Sequence, residues 1–128
     1  MYFEGDIQMT IKECYAKMGG DYEDVLRRLM NDALIKRFLV KFLDDQSFAG
    51  LTGAFDAGDA DAAFREAHTL KGVSMNLGLV ALGASASGLT ELLRGGAATS
   101  EALEPYGKVK ADYENTVDCI KELLCDVV

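Results

Sequence analysis

The chain has 128 residues, 49% apolar and 27% charged, with one proline, no tryptophan and one histidine. That is the balance of one globular domain long enough to bury a core, and a lone histidine excludes a paired-histidine zinc site or a di-iron bundle. Thirteen basic against 21 acidic residues leave a net charge of −8, which argues against a binder of nucleic acid, because such a protein needs clustered Lys and Arg.

The apolar pattern is helical throughout. Thr10 to Glu13 has the form of a capping box, and Gly19-Gly20 ends a first short helix. Asp21 caps a second short helix through Leu29. Asn31 or Asp32 opens a longer segment with Leu34, Ile35, Phe38, Leu39, Phe42 and Leu43 at helical spacing. It continues past Gln46 toward Phe55, with Gly50 and Gly53 as the expected place for a kink or break. Gly58 closes that segment and Asp59 caps the next, which runs to Gly78 and contains the histidine. Leu82, Ala86, Leu89 and Leu93 mark another helix, stopped by Gly95-Gly96. In the last helix Tyr106, Val109, Tyr113, Val117, Ile120 and Leu124 share one face, and its start lies between Ser100 and Pro105. No strand pattern competes. The expected fold is all-α: an antiparallel four-helix bundle over residues 31–128, with residues 1–30 forming a short N-terminal helical cap.

Seven acids and three bases fall within residues 100–128, so half of the excess charge sits there; it reads as a solvated helix face. Cys14, Cys119 and Cys125 show no CxxC spacing, and Met1 to Asp6 lack the basic-then-apolar layout of a leader. Together they predict a cytoplasmic protein with buried or half-buried thiols. The long uncharged run that ends at Thr90 contains Asn76, serines and glycines, short of the roughly 18–20 apolar residues that cross a bilayer.

On a wheel of about 100° per residue, Ala63, Leu70, Val73 and Leu77 fall opposite His68, which places the histidine on the solvent side. Phe64 and Arg65 lie one turn before it and Lys71 and Gly72 one turn after. Asp61 and Met75 are two turns away, and Leu79 extends the same side past Gly78. A glycine inside a helix costs about 1 kcal/mol relative to alanine, and Gly72 would leave room beside the imidazole. Phe64 and Met75 are large apolar groups on a face that should be wet, which reads as a docking patch. Taken singly, each residue has a plain alternative: polar surface for His68, a solvated charge for Lys71, a tolerated or crossing glycine for Gly72, cover by the cap helices for Phe64 and Met75. Taken together they suit a phosphorylated imidazole, with Lys71 in reach of the phosphoryl group as a point charge. No nucleotide-binding loop is present, so the phosphoryl group would come from a partner.

The run Ala67-His-Thr-Leu-Lys-Gly-Val-Ser-Met-Asn-Leu-Gly78 resembles the signature of histidine-containing phosphotransfer (HPt) domains of multistep phosphorelays. The resemblance covers roughly residues 31–124. It implies a four-helix bundle with the histidine exposed midway along its second helix. It also implies a phosphocarrier, without an ATP-binding or catalytic domain of its own, in which His68 takes a phosphoryl group from a receiver-domain aspartate and passes it to another. Lys71 would stabilise the phosphate and Gly72 would give steric access. Thr90 stands where many members carry Glu or Gln facing the histidine; it and Arg94, one turn on, are the expected contacts to phosphate or imidazole. Receiver docking is expected at Asp61, Phe64, Arg65, Met75 and Leu79. The implied partners are response-regulator receivers and a hybrid or sensor histidine kinase, with a monomer as the simplest state. No metal or cofactor is expected on the chain itself; Mg²⁺ would sit on the receiver. Two other readings stay open: a helical interaction module that binds without phosphate, and a phosphotransfer domain belonging to a larger chemotaxis-type or hybrid kinase.

Overall fold

The computed structural model describes residues 9–125, all of whose regular elements are helices; the leader reading of Met1 to Asp6 lies outside them. The helices are α1 (Ile11–Met18), α2 (Tyr22–Leu29), α3 (Asp32–Phe42), α4 (Ser47–Ala57), α5 (Ala60–Asn76), α6 (Val80–Arg94) and α7 (Leu103–Leu124), with a 3₁₀ turn at Thr99–Glu101 before α7.

Side-chain caps set most of the starts. Thr10 Oγ1 accepts from the Glu13 N–H at 3.0 Å while Glu13 Oε1 accepts from the Thr10 N–H at 2.8 Å, the reciprocal box expected there. The bond from the Thr10 N–H, with the Thr10 hydroxyl beside it, holds the Glu13 carboxyl below its ordinary pKa. Asp21, Asn31 and Asp59 each accept from the N–H three residues on, opening α2, α3 and α5. Pro105 falls in the first turn of α7, where its missing N–H has no helical partner to lose.

The long segment after Asn31 does break, but not at the glycines. α3 stops at Phe42, and Asp45 then accepts from both the backbone N–H and the hydroxyl of Ser47 to start α4. Gly50 has a different use. A Cβ there would displace the Glu66 carboxylate of α5, which lies over the glycine.

The buried core draws on every helix: Cys14, Tyr15 and Met18 from α1, Val25 from α2, Ile35 and Leu39 from α3, Leu51, Leu70, Leu82, Leu89, Val109 and Ile120 from the rest. α5 packs between α4 and α6, and α6 packs on α7. α7 meets the α3–α4 arm through aromatic rings: Phe48 stacks on Tyr113 with centroids 4.2 Å apart, and Phe55 on Tyr106 at 4.4 Å. Thr52 and Tyr106 hydroxyls are 2.8 Å apart within this seam. No described helix is long and apolar enough to cross a membrane.

α1 and α2 are fastened to the turn between α5 and α6. The Tyr15 hydroxyl donates to the Leu77 carbonyl at 2.6 Å, the Asp21 N–H to the Gly78 carbonyl at 2.8 Å, and the Ala81 N–H to the Gly19 carbonyl at 3.1 Å. Gly78 has φ +68°, and a Cβ on it would stand 3.1 Å from the Asp21 carbonyl oxygen and 3.3 Å from Val25 Cβ. Only glycine meets both demands without strain. Of the thiols, Cys14 and Cys119 are buried, whereas Cys125 is exposed, against the expectation that all three are covered. It follows the last turn of α7, where no described element covers it. Burial pushes the Cys14 thiol up to about 12.

Candidate functional site

The site is built on α5. Its buried stripe is Ala63, Ala67, Leu70 and Ser74, with Leu77 just past its end, while Val73 is only half-buried. Compared with the wheel, the core face is turned toward Ala67 and Ser74. His68 stays exposed, and Phe64, one turn before it, becomes half-buried against the core. The Phe64 and His68 rings lie nearly parallel, 9° apart in plane with centroids at 6.0 Å.

α6 runs antiparallel along this flank, in a register fixed at three levels. Gly83 meets Met75, where an added Cβ would be 3.2 Å from Met75 Cγ. Ser87 shares a groove with Lys71. Arg94 lies over Phe64, its Cζ 5.0 Å from the ring centroid, a cation–π contact. Each step forward on α5 is matched by a step back on α6, which puts Thr90 level with His68.

Thr90 nevertheless does not serve the imidazole. It is fully buried, and its hydroxyl donates to the Ala86 carbonyl at 2.7 Å. The expected Thr90 contact is therefore corrected: Leu89, Thr90 and Leu93 point into the core together, and the short hydroxyl is used within its own helix. Arg94, one turn on, does emerge beside the site, where Glu91 Oε2 holds its Nε at 3.2 Å.

Lys71 is half-buried and lines a groove of about 450 Å³ together with Met75, Val80, Gly83 and Ser87 on one side and Asp21 and Asp24 of α2 on the other. Among the described residues it has no carboxylate within ion-pairing distance. On the opposite flank, Gly72 is exposed and an added Cβ would find no atom within 4 Å. It is therefore not a glycine required by a helix crossing. Asp61 and Arg65 are exposed on the same outer face, and Met75 is 58% exposed.

Leu79 is a second correction. Expected on the docking face, it is fully buried, with its N–H bonded to the Ser74 carbonyl at 2.9 Å. The helix ends before Gly78, and the left-handed glycine resets the phase, so a wheel carried past it points the wrong way. The exposed residue is its neighbour Val80, at 54%. The sequence reading also missed Asp21 and Asp24 as groove residues, since α2 is brought there by long-range bonds, Asp21 to Gly78 and Arg28 to Asn76.

The comparison with protein families decides what this constellation belongs to. The model of the Hpt domain matches residues 23–123. The chain belongs to the Hpt-domain family. Hpt domains are phosphocarrier modules of histidine phosphotransfer in phosphorelays, where they work with receiver domains and kinases. The match takes in α3 to α6 and nearly all of α2 and α7, and leaves α1 outside the Hpt segment. No curated protein and no solved structure matches the chain.

Proposed function

We propose that this Hpt domain carries a phosphoryl group on His68 between two receiver domains. The observation that carries the reading is an exposed imidazole with Lys71, a cation that has no ion-pair partner among the described residues, on one flank and open space at Gly72 on the other. In the accepting step the Nε2 lone pair attacks phosphorus as the bond to the receiver's aspartyl oxygen breaks. The aspartate leaves as a carboxylate, and the Nδ1 proton stays on the ring. Passing the group on reverses this at a second receiver. The Mg²⁺ that neutralises the carboxylates and the moving phosphoryl group belongs to the receiver, as does the acidic pocket that Gly72 admits.

On this reading Lys71 supplies a positive charge to a group carrying about two negative ones, and Arg94 supplies another from α6. Asp61, Arg65, Met75 and the apolar edge of Phe64 form the docking face, with Val80 in place of Leu79. The helices α4 to α7 form the antiparallel four-helix bundle, and α1 to α3 close one end of it. A monomer suffices, because one exposed histidine serves successive partners. The reading is tested by incubating the protein with phosphorylated receivers from the same cell. Acid-labile, base-stable label should appear on His68, and label that persists in His68→Gln overturns the assignment. A module that docks receivers without accepting phosphate draws on the burial of Thr90; it requires that no receiver transfers label and that His68→Ala leaves receiver affinity unchanged.

A further inference from the structure

The register between α5 and α6 leaves a gap in the site. The α6 residue level with His68 is Thr90, and it is committed to the core. Arg94 emerges from α6 one turn on from Thr90, and lies not level with the imidazole but over Phe64. Phe64 in turn lies one turn before His68 and stacks on it. The half-buried ring thus lies against both the imidazole and the guanidinium, and its buried edge is held by the core.

We infer that Phe64 is a positioning residue: it sets the orientation of the His68 ring and couples it to Arg94, the task that a side chain level with the histidine on α6 would otherwise perform. This rests on the phosphocarrier reading for its purpose, but not for its geometry. A parallel aromatic neighbour at i−4 limits rotation of the imidazole about its outer bond. Arg94, pinned by Glu91 at 3.2 Å and lying on the ring face, is held near the place where phosphoryl charge arrives. A planar guanidinium suits that stacked position and an ammonium does not.

Four variants test it: Phe64→Leu, Phe64→Tyr, Arg94→Ala and Arg94→Lys. Since the chain has one histidine, its imidazole Hε1 and Hδ2 resonances can be followed without overlap in the unphosphorylated protein. Phe64→Leu should shift both resonances and slow phosphoryl acceptance from a receiver by about tenfold, because a misoriented nucleophile loses much of the advantage of being held in place. Phe64→Tyr should restore the wild-type rate and resonances. Arg94→Ala and Arg94→Lys should both shift the Phe64 ring resonances and shorten the half-life of phosphorylated His68, Lys less than Ala.

Several results overturn the proposal. One is Phe64→Leu with unmoved His68 resonances and wild-type acceptance. Another is a loss of rate that Tyr does not rescue and that tracks the melting temperature, which would make Phe64 merely structural. Exposed Arg94 can be replaced without unfolding, so Arg94→Ala that leaves the Phe64 resonances in place also counts against it. If wild-type protein accepts phosphate from no receiver, the proposed function fails, while the resonances still decide whether Phe64 orients the ring.

Discussion

Gly72 sets stability and function against each other in a way that one substitution series can read. The residue sits in the interior of α5, is exposed, and a Cβ built on it meets nothing within 4 Å. Alanine there should therefore stabilise the isolated protein by about 1 kcal/mol, the helix-propensity difference at an exposed site, or roughly 3–5 °C in melting temperature for a domain of this length. Against a docked receiver the same methyl group enters a packed surface, where overpacking costs about 1–3 kcal/mol, equivalent to roughly 5- to 150-fold in association. Gln, larger but uncharged and a good helix former, should keep most of the stability gain and lose more of the transfer. Thermal melts followed by circular dichroism give the first quantity, and single-turnover transfer from a phosphorylated receiver gives the second. Phosphoramidate, a donor too small to need docking, should label all forms alike. A fall in melting temperature for Gly72→Ala would mean that the position is packed or strained after all. Wild-type transfer by Gly72→Gln would remove the glycine from the docking argument.

Lys71→Ala should change stability by no more than about 0.5 kcal/mol, since it breaks no ion pair among the described residues; its half-life as the phospho-form should drop about 2- to 10-fold, the value of one charge-assisted contact at a solvent-exposed group. Gly78→Ala must place a Cβ at φ +68° and 3.1 Å from the Asp21 carbonyl, and should cost about 2–4 kcal/mol in urea unfolding. An unchanged midpoint would show that the α2 junction yields freely. With Cys14 pushed up to about 12 and Cys119 also raised by burial, a thiol-specific disulfide reagent at pH 8 should titrate only Cys125 quickly in the native protein and all three thiols after denaturation. Rapid modification of Cys14 would indicate that α1 opens from α7.

The local parts of the fold are the ones written in the sequence. Thr10 with Glu13, Asp21, Asn31 and Asp59 each announce a helix start through a short-range hydrogen bond, and each is found. The break between α3 and α4 was misplaced because two glycines look weaker than Asp45-Gln46-Ser47, yet a carboxylate that caps the next helix ends a segment more firmly than a glycine inside it. The exposure of His68 follows from periodicity alone. The burial of Thr90 and Leu79 does not: the first depends on how α6 is rotated against α5, the second on the left-handed turn at Gly78. Neither is a local property. The entry of α2 into the groove beside Lys71 is further still from view, since it depends on bonds between residues nearly sixty positions apart.

Besides the Tyr15 hydroxyl and the Arg28 guanidinium, which donates to the Asn76 carbonyl at 2.9 Å, two bonds from main chain to main chain fasten α1 and α2 to the α5–α6 turn. Their strength does not depend on which side chains α2 carries outward. The wall of the groove is thus hung like an interchangeable panel: Asp24 and Arg27, which pair at its surface, can be traded for other charges, whereas Arg28 also holds the Asn76 carbonyl and belongs to the hinge. Partner choice could be rewritten on α2 while His68, Lys71 and Gly72 stay untouched.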